Sequence, residues 1–356
     1  MSSNMRPLRE IRYVLTGLGN IGRTLLELLS AREEPYAERY GVALRCVGVA
    51  DSSGAAYDAA GLDPALVAAI KRERRGVSAL PQHDPDLSAA ALVAEADADL
   101  LFEATPTSLA DGQPGLDIVR AALRSGKDAV LASKGPLVLA YAELAALSDS
   151  GGNLTRPRMR FSGAVGGALP TINFGRRDLA GAVIERAELV VNGTTQVILG
   201  EMAAGRSFEQ AMAIAQAQGI VEPDPTLDVD GWDAACKLVI FANAVLGQPA
   251  TLADLRVVGI RDVSAEQLQA AQHAGGRVSL VALATRQAQG RYELSVGPVA
   301  LGPEHPLARL SSQEMGLVIT SDLGGRSTLA SLEDGPVGTC QAMIRDLLEL
   351  YGPRRG

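Results

Sequence analysis

The stretch that most restricts the fold lies near the start of the chain. Ile11-Arg12-Tyr13-Val14-Leu15-Thr16 reads as a buried strand. It runs at once into Gly17-Leu18-Gly19-Asn20-Ile21-Gly22 and a helical run from Arg23 to about Leu29. In strand, glycines, helix order each glycine has a task. The first allows a tight turn, the second lets backbone approach a pyrophosphate, and the third lets helix and strand pack closely, with the phosphates over the helix N-terminus. Gly17, Gly19, Asn20, Ile21 and Gly22 are therefore expected to hold a dinucleotide, and the chain to open with an α/β domain of the doubly wound, Rossmann type.

The next segments continue that pattern. Leu44 to Ala50 reads as a second strand ending in Asp51, an acid placed to accept hydrogen bonds from the adenosine ribose and to disfavour a 2′-phosphate. Its distance from the glycines exceeds the usual ~20 residues because of an insert around Glu33-Glu34-Pro35-Tyr36. Lys71-Arg72-Glu73-Arg74-Arg75 is expected to be a solvated helix end. The alternative, that it neutralises a 2′-phosphate, keeps both NAD and NADP open as cofactors. Asp99 to Ala104 and Asp128 to Ala132 are further strands, ending in Thr105-Pro106-Thr107-Ser108 and Ser133-Lys134-Gly135-Pro136. Loops at the carboxyl ends of such strands border the cofactor crevice, so Lys134 is placed there.

Around Gly151-Gly152-Asn153 the alternation falters. The nucleotide domain is expected over 1–150 and a second, α+β domain over 151–334. The second domain begins with the glycine-rich run Arg160 to Pro170. Ala187 to Val191 is a strand leading into Asn192-Gly193-Thr194-Thr195 and a helix, with the threonine hydroxyls available as caps or ligands. Ser207 and Gln210 fit a capping box. Arg277 to Thr285, Arg291 to Val296, Gly316 to Ser321 and Ser327 to Leu332 alternate like strands of a mostly antiparallel sheet. A last helix runs from Cys340 to about Leu350, and the segment 335–356 is expected to pack back onto the first domain.

Between the capping box and this sheet lies the chemistry. Glu222-Pro223-Asp224-Pro225-Thr226-Leu227-Asp228-Val229-Asp230-Gly231 crowds acids into a short loop, and the following helix, Trp232 to about Leu246, is apolar almost all the way round. Such a helix sits inside a protein. Asp233 and Lys237, four apart and so on one face, must be carried inward with it, where an ordinary surface ion pair has no solvated face to occupy. A lysine taken out of water beside a carboxylate is a proton-transfer group.

Composition excludes several classes. A formal charge of −8 argues against nucleic acid as the main partner. Cys46, Cys236 and Cys340 are too dispersed for a disulfide framework or a Cys-x-x-Cys metal site, and His83, His273 and His305 lie in separate loop-like stretches. The N-terminus lacks the apolar core of a signal peptide, and no run reaches the ~18 apolar residues of a membrane span. A cytoplasmic protein is expected.

Taken together these segments resemble homoserine dehydrogenase over nearly the whole chain. The resemblance is carried by Gly17 to Gly22, Lys134-Gly135-Pro136, Val165-Gly166-Gly167 and Asn192-Gly193-Thr194-Thr195. Most specific is Glu222-Pro223-Asp224-Pro225, with Asp228 and Gly231-Trp232-Asp233-Ala234-Ala235-Cys236-Lys237. It implies NAD(P)-dependent interconversion of L-homoserine and L-aspartate 4-semialdehyde, in threonine and methionine biosynthesis, by a homodimer or higher homo-oligomer. By the resemblance Lys237 is the proton-transfer residue, Asp233 its partner and a substrate ligand, and Glu222, Asp228 and Thr194 further substrate ligands. Lys134 is a second candidate for the base. Thr105 and Thr107 line the nicotinamide side, with Gly219 and Gly335 as further cofactor contacts. A monovalent cation, sodium or potassium, is implied on the backbone carbonyls of Ser162, Val165, Gly167 and Leu169. The chain departs from the family in Ser162-Gly163, where Glu-Ala is frequent, in Gln196, and in Asp334 to Gly338. No regulatory domain is expected after the last helix. Two rivals compete: a cysteine-dependent semialdehyde dehydrogenase, which needs a cysteine and a histidine together, and a nicotinamide-binding redox sensor without catalysis.

Overall fold

The computed structural model describes residues 8–153, 155–217, 225–333 and 335–353. The chain divides into two compact units, one of Met1–Gly167 with Gly335–Gly356, the other of Ala168–Asp334. The segment 151–167 belongs to the first unit for two reasons. Its strand Met159–Arg160 pairs with that unit's sheet, and Ser162 hydrogen-bonds Asp346 of the C-terminal helix.

The first unit is a seven-stranded sheet. Its strands are β1 (Arg9–Thr16), β2 (Val42–Asp51), β3 (Gly54–Tyr57), β4 (His83–Asp84), β5 (Leu100–Glu103), β6 (Asp128–Leu131) and β7 (Met159–Arg160), in the order β4-β3-β2-β1-β5-β6-β7. From β2 to β7 every pair is parallel, while β3 and β4 add an antiparallel edge. The chain leaves β1 for β2 on one side and returns to β5 on the other, so the order reverses between β1 and β5, where such sheets bind ligands. β5 and β6 are buried along their full length, as strands covered on both faces are.

The helix Asn20–Ala31 turns Gly22, Leu25, Leu26 and Leu29 to the sheet, a spacing of three and four that puts them on one face. The insert after it forms a further helix, Glu33–Tyr40. The C-terminal helix Val337–Tyr351 joins the same core through Cys340, Met343, Ile344, Leu347, Leu350 and Tyr351. Its last turn is tied down by the Tyr351 hydroxyl, which donates to Asp128 at 2.6 Å.

The second unit is a six-stranded sheet of β8 (Ile184–Val190), β9 (Arg256–Val257), β10 (Arg277–Arg286), β11 (Tyr292–Leu301), β12 (Glu314–Ser321) and β13 (Gly325–Leu332), in the order β13-β12-β8-β10-β11-β9. All its pairs are antiparallel except β9 with β11. The helix Trp232–Ala244 packs on this sheet, and every residue from Ala234 to Ala242 is buried, Lys237 included. Its apolar circumference leaves no face for water. The capping box expected at Ser207 is present: Gln210 N–H donates to the Ser207 hydroxyl at 3.3 Å, and Ser207 N–H to the Gln210 side chain at 3.0 Å.

Candidate active site

In the second unit four polar residues meet around the Trp232–Ala244 helix. Lys237 is 8% exposed. Its ammonium donates to the Asp233 carboxylate at 2.7 Å and to the Val191 carbonyl, just beyond β8. The Asn192 side-chain amide donates to Asp228 at 2.6 Å and to Asp233 at 3.0 Å, so one neutral group holds two carboxylates together. Thr194 also hydrogen-bonds Asp228. Burial first, and then the charge of Asp233, raise the Asp228 carboxyl above its ordinary range, while Asn192, Lys237 and Thr194 pull it down. A second positive charge brought beside Asp228 and Asp233 would relieve their mutual repulsion and favour the ionised form of Asp228.

The residues arrive here by local rules. Asn192, rather than a threonine, caps the helix Gly193–Ala203: its side-chain oxygen accepts the Thr195 N–H at 2.9 Å, and the Thr195 hydroxyl is spent on the Asn192 carbonyl at 3.0 Å. That cap turns the amide nitrogen of Asn192 toward the two acids. The short turn Thr226–Val229 presents Asp228. Glu333, which nothing in the local sequence marks, feels the charge of Lys237. It accepts the Ala168 N–H at 2.8 Å and the Ser331 hydroxyl at 2.9 Å, and burial raises its carboxyl. Gly219 and Glu222 lie outside the described residues.

In the first unit the glycine turn has the shape a pyrophosphate requires. Gly17 has φ +83°, and a Cβ on it would lie 2.3 Å from the Ala104 carbonyl; one on Gly22 would lie 2.0 Å from the Gly17 oxygen. Only hydrogen fits at either. A Cβ on Gly19 would meet nothing within 4 Å, so bare backbone there borders open space. The helix Asn20–Ala31 begins with no side-chain cap and no acid in its first turn, leaving its N–H groups and positive dipole end for a phosphate.

Asp51 stands at the tip of β2, but its carboxylate is already engaged. It forms an ion pair with Lys71 at 2.5 Å, its side chain only 7% exposed. It also accepts the Ser53 N–H at 2.8 Å, the Ser53 hydroxyl at 2.6 Å and the Val77 N–H at 3.2 Å. These donors hold its carboxyl below the usual range against the opposing effect of burial. Arg72, Glu73, Arg74 and Arg75 are exposed at the end of the helix Pro64–Arg72, as expected of a solvated helix end, and only Lys71 departs from that reading, its amine reaching the acid from the helix's last turn. At the ends of β5 and β6, Thr107 accepts the Lys134 N–H at 3.2 Å and Thr105 hydrogen-bonds Glu103. Gly335 has φ +71°.

The residues of the expected cation site are placed as follows. Ser162 donates both its N–H and its hydroxyl to Asp346, at 2.8 and 2.7 Å, while its carbonyl closes a turn to Val165. Gly167 has φ +56°, and the Leu169 carbonyl accepts the Thr171 N–H at 2.7 Å. Among the described residues no group of three or more His, Cys, Asp or Glu could hold a metal ion. All three cysteines are free and buried, and burial pushes the thiols of Cys46 and Cys340 up to about 12, the reverse of an activated nucleophile.

Comparison with known proteins decides the family. Residues 170–348 match the family model described as homoserine dehydrogenase, and residues 17–154 match its NAD binding domain. The chain belongs to the homoserine dehydrogenase family. It is 33% identical to the NAD(+)-dependent homoserine dehydrogenase of Pseudomonas canavaninivorans over 97% of each chain. It is 32% identical to the homoserine dehydrogenase of Methanocaldococcus jannaschii over 95% of this chain and 98% of the other. The homoserine dehydrogenase structure from Thermoplasma acidophilum superposes with a TM-score of 0.80 at 26% identity, covering 96% of this chain and 99% of that one. A hyperthermophilic archaeal homoserine dehydrogenase in complex with NADPH gives 0.81 at 25%, covering 97% and 99%.

As a homoserine dehydrogenase the chain is an NAD(P)-dependent oxidoreductase acting on an alcohol group, and neither rival reading has support. No helix among the described residues is long and apolar enough to cross a membrane.

Proposed function

We propose that this chain interconverts L-homoserine and L-aspartate 4-semialdehyde, with the second unit holding the amino acid and Lys237 moving the proton. The observation that carries the reading is the network Lys237–Asp233–Asn192–Asp228 on and around a helix with no wet face. Acidic groups outnumber the single ammonium there, which suits a substrate that brings an ammonium of its own. Among the described residues Lys237 spends two of its three N–H bonds on Asp233 and Val191, leaving the third for the oxygen of the reacting carbon. In reduction that ammonium polarises the aldehyde oxygen and gives it a proton; in oxidation the amine takes the hydroxyl proton.

The nicotinamide cofactor, when bound, supplies the hydride acceptor or donor. Gly17, Gly19, Asn20, Ile21 and Gly22 would hold its pyrophosphate, and Thr105, Thr107 and Lys134 its nicotinamide end. Because Lys71 neutralises Asp51, the 2′-phosphate meets a balanced pair rather than a bare carboxylate, and we expect both NAD and NADP to be used. Ser162, Val165, Gly167 and Leu169 remain the carbonyls for a monovalent cation. A homo-oligomer in the cytoplasm is the assembly we favour, with exposed apolar groups such as Val299 and Leu332 on the second unit's sheet as its seam.

Absorbance at 340 nm with homoserine and each cofactor tests the reading. A homoserine-dependent rise is expected with both, and the absence of one with either would remove it.

A further inference from the structure

One buried side chain touches both loops assigned to the nicotinamide. Glu103 ends β5 and is fully buried, at 0% exposure. Its Oε1 accepts the Thr105 N–H at 2.8 Å and the Thr105 hydroxyl, and its Oε2 accepts the Ser133 hydroxyl from the end of β6. The Ser133 backbone N–H is a further donor. The helix Gly115–Arg124 closes a third side: a Cβ on Gly115 would lie 2.9 Å from Thr105 Oγ1 and 3.1 Å from Glu103 Oε1, so its first residue has room only for hydrogen. One step further out, Thr107 Oγ1 accepts the Lys134 N–H at 3.2 Å.

A carboxylate buried with no lysine or arginine partner among the described residues is costly, and an apolar side chain would end the strand without that cost. Burial raises the carboxyl above its ordinary range, and donors from two loops offset only part of that cost. In return the two oxygens, rigidly spaced by one carbon, fix one loop relative to the other. Reacting groups held at a set distance and angle gain far more rate than loosely held ones.

We propose that Glu103 is a positioning residue for hydride transfer, its carboxylate clamping the Thr105–Thr107 and Ser133–Lys134 loops in one relation so that the nicotinamide wall they form keeps its shape. The inference rests on the reading that Thr105, Thr107 and Lys134 line the nicotinamide. Its test separates the two.

Glu103→Gln keeps the size of the side chain but offers one acceptor oxygen and one NH2 group, enough for one loop and not the other. In the full-length enzyme its kcat should fall ~30-fold, as expected for a loss of reactive geometry, with a thermal melt like that of wild type. With cofactor deuterated at the transferring position, the isotope effect on kcat should rise, because hydride transfer becomes slower than product release. A role confined to folding lowers the amount of active enzyme and leaves that ratio where it was. Ser133→Ala, which removes one donor without stranding a charge, should move kcat and the isotope effect the same way by a smaller amount, and it decides the matter if Glu103→Gln does not fold. Lys134→Ala and Thr107→Ala report on the underlying reading. If both are impaired while Glu103→Gln, or in its place Ser133→Ala, keeps wild-type kcat and isotope effect, the clamp is overturned and the nicotinamide wall stands. If Lys134→Ala and Thr107→Ala behave as wild type, both ideas fall, whatever Glu103→Gln does.

Discussion

Lys237 is the residue on which turnover should depend most. Lys237→Ala should lower kcat by ~10³-fold, within the range for a lost acid–base group, while the dissociation constant for cofactor, measured by fluorescence, stays near that of wild type. A variant keeping a tenth of wild-type turnover would transfer the role to Lys134. Asn192 acts on the charges beside it. Its amide opposes the repulsion between Asp228 and Asp233 and pulls the already raised Asp228 carboxyl down. Below that pKa Asp228 is neutral and holds an ammonium poorly, so kcat/KM for homoserine should fall as pH drops, on a limb lying above the ordinary aspartate value. Asn192→Ala removes the opposing amide and should move that limb to higher pH; a profile that does not move rejects the coupling. At the other end of the chemistry, Lys71→Ala leaves the Asp51 carboxylate without its counter-charge. The ratio of KM for NADP to KM for NAD should then rise by ~2–5-fold, about the worth of one close charge pair. An unchanged ratio would show that this pair does not read the 2′-phosphate.

At the level of elements the C-terminal helix carries the clearest pH signature. Asp346 lies on its buried face, where desolvation raises its carboxyl to about 6 against the Ser162 N–H and hydroxyl that favour its charge. A folded-state pKa above the unfolded one means that the folded chain holds the proton more tightly. That stability is fully present below about pH 4 and is lost as pH rises through about 6. From 3.8 to about 6 is about two units, or ~3 kcal/mol at ~1.4 kcal/mol per unit. Asp346→Asn keeps an acceptor for the Ser162 N–H and never ionises. Denaturant titrations at pH 4 and pH 7.5 should therefore show a smaller loss of stability across that interval than in wild type. Equal losses would contradict the assignment. Neither partner advertises the other in the sequence. Ser162 stands in a glycine-rich turn and Asp346 among charged residues of an amphipathic helix, and 184 positions separate them.

For the whole molecule the return of the C-terminal helix to the first unit matters most. Met343 and Leu347 are fully buried in the same core as β1 and the helix after the glycine turn. Each such side chain contributes ~1.5–3 kcal/mol when buried, and the helix brings several, against a net stability of only ~5–15 kcal/mol for a typical domain. A chain ending at Glu333 should accordingly lose the cooperative melt of its first unit and its binding of NADH; retention of both would show that the helix is dispensable. What could be read without coordinates was whatever rests on periodicity and local stereochemistry. The glycine turn declared a parallel, doubly wound sheet because only that backbone fits its spacing. The all-round apolar helix declared that Lys237 and Asp233 go inward together, since a spacing of four on a helix is geometry and not tertiary accident. The reach of the Asn192 amide to Asp228 and Asp233, the charge of Glu333 near Lys237, the ion pair that occupies Asp51 and the burial of Glu103 were decided only when strands and turns distant in the chain met. Hydrogen bonds and desolvation act across space over a few ångströms, a scale on which separation along the sequence has no meaning.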